Sequence, residues 1–90
     1  MKTVWKYQIR PDSNRDAVYW LDVVDVPRGS KPLCVMMQNG VPCVWFEVET
    51  TEPKGPFRLY SVGTGFGKIP EGVTYLGSII EDEYVWHIYY

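Results

Sequence analysis

The sequence predicts an all-β domain, a small antiparallel barrel or sandwich of six or seven short strands, and three observations carry that expectation. No window of a dozen residues shows an apolar stripe at three- and four-residue spacing, so the signal for an amphipathic helix is missing. Eight Gly and seven Pro punctuate 90 residues at short intervals, which limits element length. Between these breaks lie apolar runs rich in aromatic and β-branched residues, the composition that suits a pleated, half-buried surface. Four Trp, seven Tyr and three Phe bring the aromatic share to 16%. A chain of this length forms one domain, residues 1–90, with no room for a dinucleotide-binding fold beside it.

Each element is justified locally. Val4 to Ile9 alternates Trp5, Tyr7 and Ile9 with mostly polar residues, the pattern of a half-buried strand. Pro11 to Arg15 is turn chemistry. Ala17 to Val26 is a second extended run, apolar on both faces, ended by Pro27-Arg28-Gly29-Ser30. Asn39-Gly40, between apolar runs, is a strong hairpin signal, because a type I′ turn needs positive φ at both central residues. That turn predicts a register. Gln38 faces Val41, Met37 faces Pro42, Met36 faces Cys43, Val35 faces Val44, Cys34 faces Trp45 and Leu33 faces Phe46. Pro42 has no N–H and is expected at a non-bonded or edge position. Cys34 and Cys43 then lie diagonally, too far apart for unstrained disulfide geometry. They are expected to be free thiols, as a reducing compartment would keep them.

Further along, Glu49 to Pro56 reads as a polar loop and Phe57 to Val62 as a strand. Gly63 to Gly72 reads as a long Gly-rich loop. Val73 to Ile80 is a strand interrupted by Gly77, which predicts a bulge or a close backbone approach. Glu81-Asp82-Glu83 turns the chain into a last strand, Tyr84 to Tyr90.

Charge narrows the partners. Nine Lys and Arg against eleven Asp and Glu give −2, and a pI near 5.2. Binding to bulk nucleic acid needs dense cationic surface and is not expected. No apolar run reaches the length of a membrane span or a signal peptide, so a cytoplasmic protein is expected.

Enzymatic machinery is not expected either. His87 is the single histidine, and the usual metal-ligand spacings are missing, so no metal and no cofactor are predicted. Cys34 and Cys43 sit among apolar neighbours, which favours an inert thiol. Gly63-Thr64-Gly65-Phe66-Gly67-Lys68 lacks the spacing of a phosphate-binding loop, yet its backbone N–H groups with Lys68 could form an anion nest. Arg58 shares a strand face with Tyr60 and Val62, a setting where a guanidinium stacks on a ring and grips an anion. The plainer account of Arg58 is a surface side chain whose stem covers apolar area.

Several blocks carry a resemblance. Lys2 to Tyr7, Gln38-Asn39-Gly40-Val41-Pro42-Cys43-Val44-Trp45, Phe57 to Gly65, Ile69-Pro70, Tyr75 to Ser78 and Val85-Trp86-His87 resemble a small family of unknown function found mostly in phage and prophage genomes. The resemblance covers nearly the whole chain and implies a context, the infected bacterial host, rather than an activity. By analogy with other small phage proteins, it suggests an anti-defence factor acting as a sponge for a nucleotide-derived immune signal. The expected ligand-binding residues are Trp45, Arg58, Tyr60, Thr64, Gly65, Lys68, Trp86 and His87. The alternative is a protein-interaction or homo-oligomerisation module that inhibits a host protein and docks through Met36, Cys43 and Trp45.

Overall fold

The computed structural model describes residues 1–9, 18–65 and 67–90. Among the described residues seven strands form two antiparallel sheets packed as a sandwich, with no closed barrel: β1 (Lys2–Gln8), β2 (Val18–Pro27), β3 (Lys31–Gln38), β4 (Val41–Glu49), β5 (Lys54–Gly63), β6 (Tyr75–Glu81) and β7 (Tyr84–Tyr89). One sheet has the order β1-β4-β3, the other β2-β5-β7-β6. The expected turn at Pro11–Arg15 lies outside the described residues. The polar loop after β4 is shorter than the sequence suggests, because β5 begins at Lys54 rather than Phe57.

The Asn-Gly turn sets the three-stranded sheet. Asn39 and Gly40 take φ of 52° and 76°, both positive as a type I′ turn requires. The register follows the expectation from Gln38↔Val41 through Cys34↔Trp45, then departs from it. Pro32, not Leu33, faces Phe46, because the ladder bulges between Pro32 and Cys34. The extra residue turns Leu33 outward, where it is 43% exposed. Pro42 lies in the central strand of its sheet. Its carbonyl accepts from the Ile9 N–H at 2.9 Å, and its own missing N–H falls just beyond the last β1–β4 pair, Gln8↔Cys43. Cys34 and Cys43 are both free thiols.

Inward-facing residues of the two sheets form one core, with Val44, Phe46 and Leu59 fully buried. An aromatic chain crosses it. Tyr7 meets Phe46 edge-on at 5.6 Å, Phe46 meets Phe57 at 4.9 Å, and Phe57 meets Tyr90 at 6.1 Å. Such pairs add about 0.5–1.5 kcal/mol beyond the area they bury. Tyr7 also donates to the Asp25 carbonyl at 2.9 Å, tying β1 to the bulge of β2 between Val23 and Val26. Burial, and secondarily the Asp25 charge, push the Tyr7 hydroxyl above its ordinary pKa. On the other side of the sandwich, β6 runs beside β3, and Gly77 approaches Val35.

Candidate functional site

Strand alternation divides the four-stranded sheet into a core face and an outer face. On β5, Phe57, Leu59 and Ser61 point inward, so Arg58, Tyr60 and Val62 point outward. Register then fixes their neighbours. Tyr60 pairs with Trp20 on β2 and with Tyr89 on β7, and Tyr89 pairs with Tyr75 on β6. Every strand of the sheet therefore places one aromatic residue in a single row, Trp20–Tyr60–Tyr89–Tyr75. Three inter-strand steps make the row about 14 Å long. Its two ends are open, with Trp20 58% and Tyr75 56% exposed, and its middle is half-buried. Tyr75 and Tyr89 meet edge-on at 5.5 Å.

Arg58 stands beside the row with its Nε–Nη2 edge engaged by Asp22. Its Nε donates to Asp22 Oδ1 at 3.0 Å and its Nη2 to Oδ2 at 3.3 Å. The guanidinium lies over the Trp20 ring, 5.2 Å from the centroid. Hydrogen bonding from Arg58, aided by its charge, holds the Asp22 carboxyl below its ordinary pKa. The fork that would bind a phosphate or carboxylate thus already holds one.

Across the row from Arg58 lies a chain of side-chain hydrogen bonds. Tyr75 Oη meets Ser78 Oγ at 2.6 Å, Ser78 Oγ meets His87 Nδ1 at 2.8 Å, and His87 Nε2 meets Thr64 Oγ1 at 2.8 Å. The last hydroxyl reaches the Val85 carbonyl at 3.5 Å. That carbonyl can only accept, and a Thr64 hydroxyl that donates to it accepts from the His87 Nε2–H. In the tautomer with its single proton on Nε2, Nδ1 is the acceptor, Ser78 donates to it, and the Tyr75 phenol donates to Ser78. In that arrangement four groups point their protons in one direction, and His87 is held at both ring nitrogens.

A bulge builds this chain. Residues three apart on a regular strand face opposite ways. The β6 register shifts between Tyr75 and Gly77, which brings Tyr75 and Ser78 onto one face. Gly77 was marked by the sequence as a bulge or a close approach, and it is both: a Cβ there would sit 2.9 Å from Val35 Cγ2.

The eight expected residues do not line one pocket. Arg58, Tyr60, Thr64 and His87 come together on or beside the outer face of the four-stranded sheet. Trp86 pairs with Gly63 and Ile79 on the opposite side of β7 from His87 and packs against the core. Trp45 is on the outer face of the other sheet, opposite Lys6 and Cys34. Gly65 takes φ of 77° in the turn after β5, and Lys68 is exposed beyond it; Phe66, between them, lies outside the described residues. Trp20, Asp22, Tyr75, Ser78 and Tyr89 belong to the face without having been singled out in the sequence. Of the face expected to dock a partner, Met36 is 50% exposed, while Cys43 is only 2% exposed.

Chemically the outer face offers rings, hydroxyls, an imidazole and an internally neutralised ion pair. Among the described residues no carboxylate hydrogen-bonds to His87, so Ser78 lacks the acid-oriented base of an acyl-transfer triad. No group of three or more potential ligands that could hold a metal occurs among the described residues. No curated protein and no solved structure matches this chain. A family model does, over residues 1–90, and the chain therefore belongs to the family described as Domain of unknown function (DUF7352).

Proposed function

We infer that the domain is a docking module which binds a protein partner through the outer face of its four-stranded sheet. The row Trp20–Tyr60–Tyr89–Tyr75 carries this reading. Trp, Tyr and Arg dominate interface hot spots because they combine large area with few rotatable bonds and a polar tip. Here they stand side by side on an open sheet, whereas small-molecule sites are concave and enclose their ligand. The Arg58–Asp22 pair at the edge suits a polar rim. In the context the resemblance suggests, the partner is a host defence protein and the domain its inhibitor. The test is retention of that partner, or of a second copy, by the full chain. Trp20→Ala and Tyr75→Ala should abolish it, read by pull-down and by sedimentation at two concentrations. Retention unchanged in both variants contradicts the docking reading.

The same row favours a second reading, sequestration of a nucleotide-derived signal. Bases stack on sheet aromatics for about 1–3 kcal/mol per ring. Arg58 would have to exchange Asp22 for a phosphate, which weakens this version. Calorimetry against cyclic dinucleotides and ADP-ribose derivatives separates the two. Heat of binding that Tyr60→Ala removes supports the sponge, and silence across the panel ends it.

A further inference from the structure

Tyr84 and Trp86 lie outside the aromatic row and form a ring pair of their own. Both lie on the side of β7 opposite His87, near the end of the strand and beside the Glu81–Asp82–Glu83 turn. Their rings are near-parallel at 26°, with centroids 6.2 Å apart, and Tyr84 is 56% exposed despite its size. Together with Glu83, Thr64 and Val85 they line a groove of about 230 Å³ whose remaining wall is Gly63, which contributes no side chain. Small-molecule sites typically measure about 300–1,000 Å³. This one is the size of a single long side chain.

Its chemistry has one sign. The faces of Tyr and Trp are electron-rich and attract cations, most often guanidinium. Glu83 adds a carboxylate at the groove, and Glu81 and Asp82 precede it in the turn, within a chain of net charge −2. A planar cation can stack on the exposed Tyr84 ring while its N–H groups reach the Glu83 carboxylate, a combination that a spherical ammonium cannot match. We propose that the groove between β5 and the β6–β7 turn receives an arginine side chain of a partner polypeptide. This site is separate from the aromatic row and stands whether or not that row docks a partner.

The test uses the full ¹⁵N-labelled chain and follows the Trp86 indole N–H by NMR. The probes are acetyl-glycyl-arginyl-glycinamide, the same peptide with neutral citrulline for arginine, and tetramethylammonium. The arginine peptide should move the Trp86 signal with a dissociation constant on the order of millimolar, and the citrulline peptide should not. Tyr84→Ala should weaken binding about fivefold, and Glu83→Gln should weaken it and reduce its sensitivity to salt. Both positions are exposed, and an unchanged thermal midpoint checks that the variants are folded. An equal response to citrulline, or binding untouched by Tyr84→Ala, overturns the site. Tighter binding of tetramethylammonium than of the arginine peptide overturns the assignment to guanidinium.

Discussion

Gly77 and Val35 hold the two sheets together at their shared side: a methyl group on Gly77 would lie 2.9 Å from Val35 Cγ2 and 3.9 Å from the Val35 backbone. Val35 is itself 7% exposed and part of the core. Gly77→Ala therefore forces β6 away from β3, at a cost of about 1–3 kcal/mol. For a domain of this size each kcal/mol lowers Tm by roughly 4–8 °C. Val35→Ala makes room for the methyl group, so the double variant should lose less than the sum of the singles. Additive losses would mean that the contact does not join the strands.

The Arg58–Asp22 pair predicts a pH response with a definite sign. The folded-state pKa of Asp22 is depressed from the ordinary 3.8, first by the hydrogen bond from Arg58. A depressed carboxylate contributes stability above its unfolded value and loses it as pH falls through the folded one. The loss is thus confined to strongly acidic solution. NMR titration of the Asp22 carboxyl should show a midpoint below the ordinary value, and Arg58→Met should return it toward 3.8. Arg58→Lys should recover only part of the shift, because an ammonium cannot form the two-pronged contact. An unshifted Asp22 in the parent protein would contradict the pairing.

On the other sheet, the Lys6 ammonium donates to Gln38 Oε1 at 2.7 Å. Lys6 lies opposite Trp45 and Gln38 opposite Val41, so their bridge crosses the row that holds Cys43. This accounts for a thiol on an outer face that is only 2% exposed. A thiol reagent should modify half-buried Cys34 first and Cys43 slowly. Gln38→Ala should speed modification of Cys43 while leaving Cys34 unchanged. Equal rates at Cys43 in both proteins would mean that the bridge shields nothing.

Aromatic residues of the two sets should respond differently to truncation. Phe46 is fully buried between Tyr7 and Phe57, and Phe46→Ala should cost about 3–5 kcal/mol. That is a large part of the roughly 5–15 kcal/mol a domain possesses. Trp20→Ala and Tyr75→Ala remove exposed rings and should stay within about 1 kcal/mol of the parent. Urea unfolding measures all three. Comparable losses would make the outer row structural.

What the sequence revealed and what it hid divide along contact distance. The Asn39–Gly40 turn is local, so five successive residue pairs of the β3–β4 register could be read from it. Leu33 escaped because a bulge beside Pro32 shifts the ladder by one residue. The aromatic row depends on pairing β2 with β5 and β5 with β7, across connections that leave no register signal in the sequence. Trp86 and His87 could have been separated, because adjacent strand residues face opposite ways. Ser78 and Tyr75 could not have been joined without knowing where the Gly77 bulge acts.

The most direct test of the docking face is site-specific photo-crosslinking in cells that naturally express the chain. A photoreactive phenylalanine analogue replaces Trp20, Tyr75 or, on the opposite sheet, Val4, which is 53% exposed. Discrete adducts of the same mass from positions 20 and 75, and none from position 4, are the expected result. Adducts from position 4 alone, or none at 20 and 75, would contradict the account.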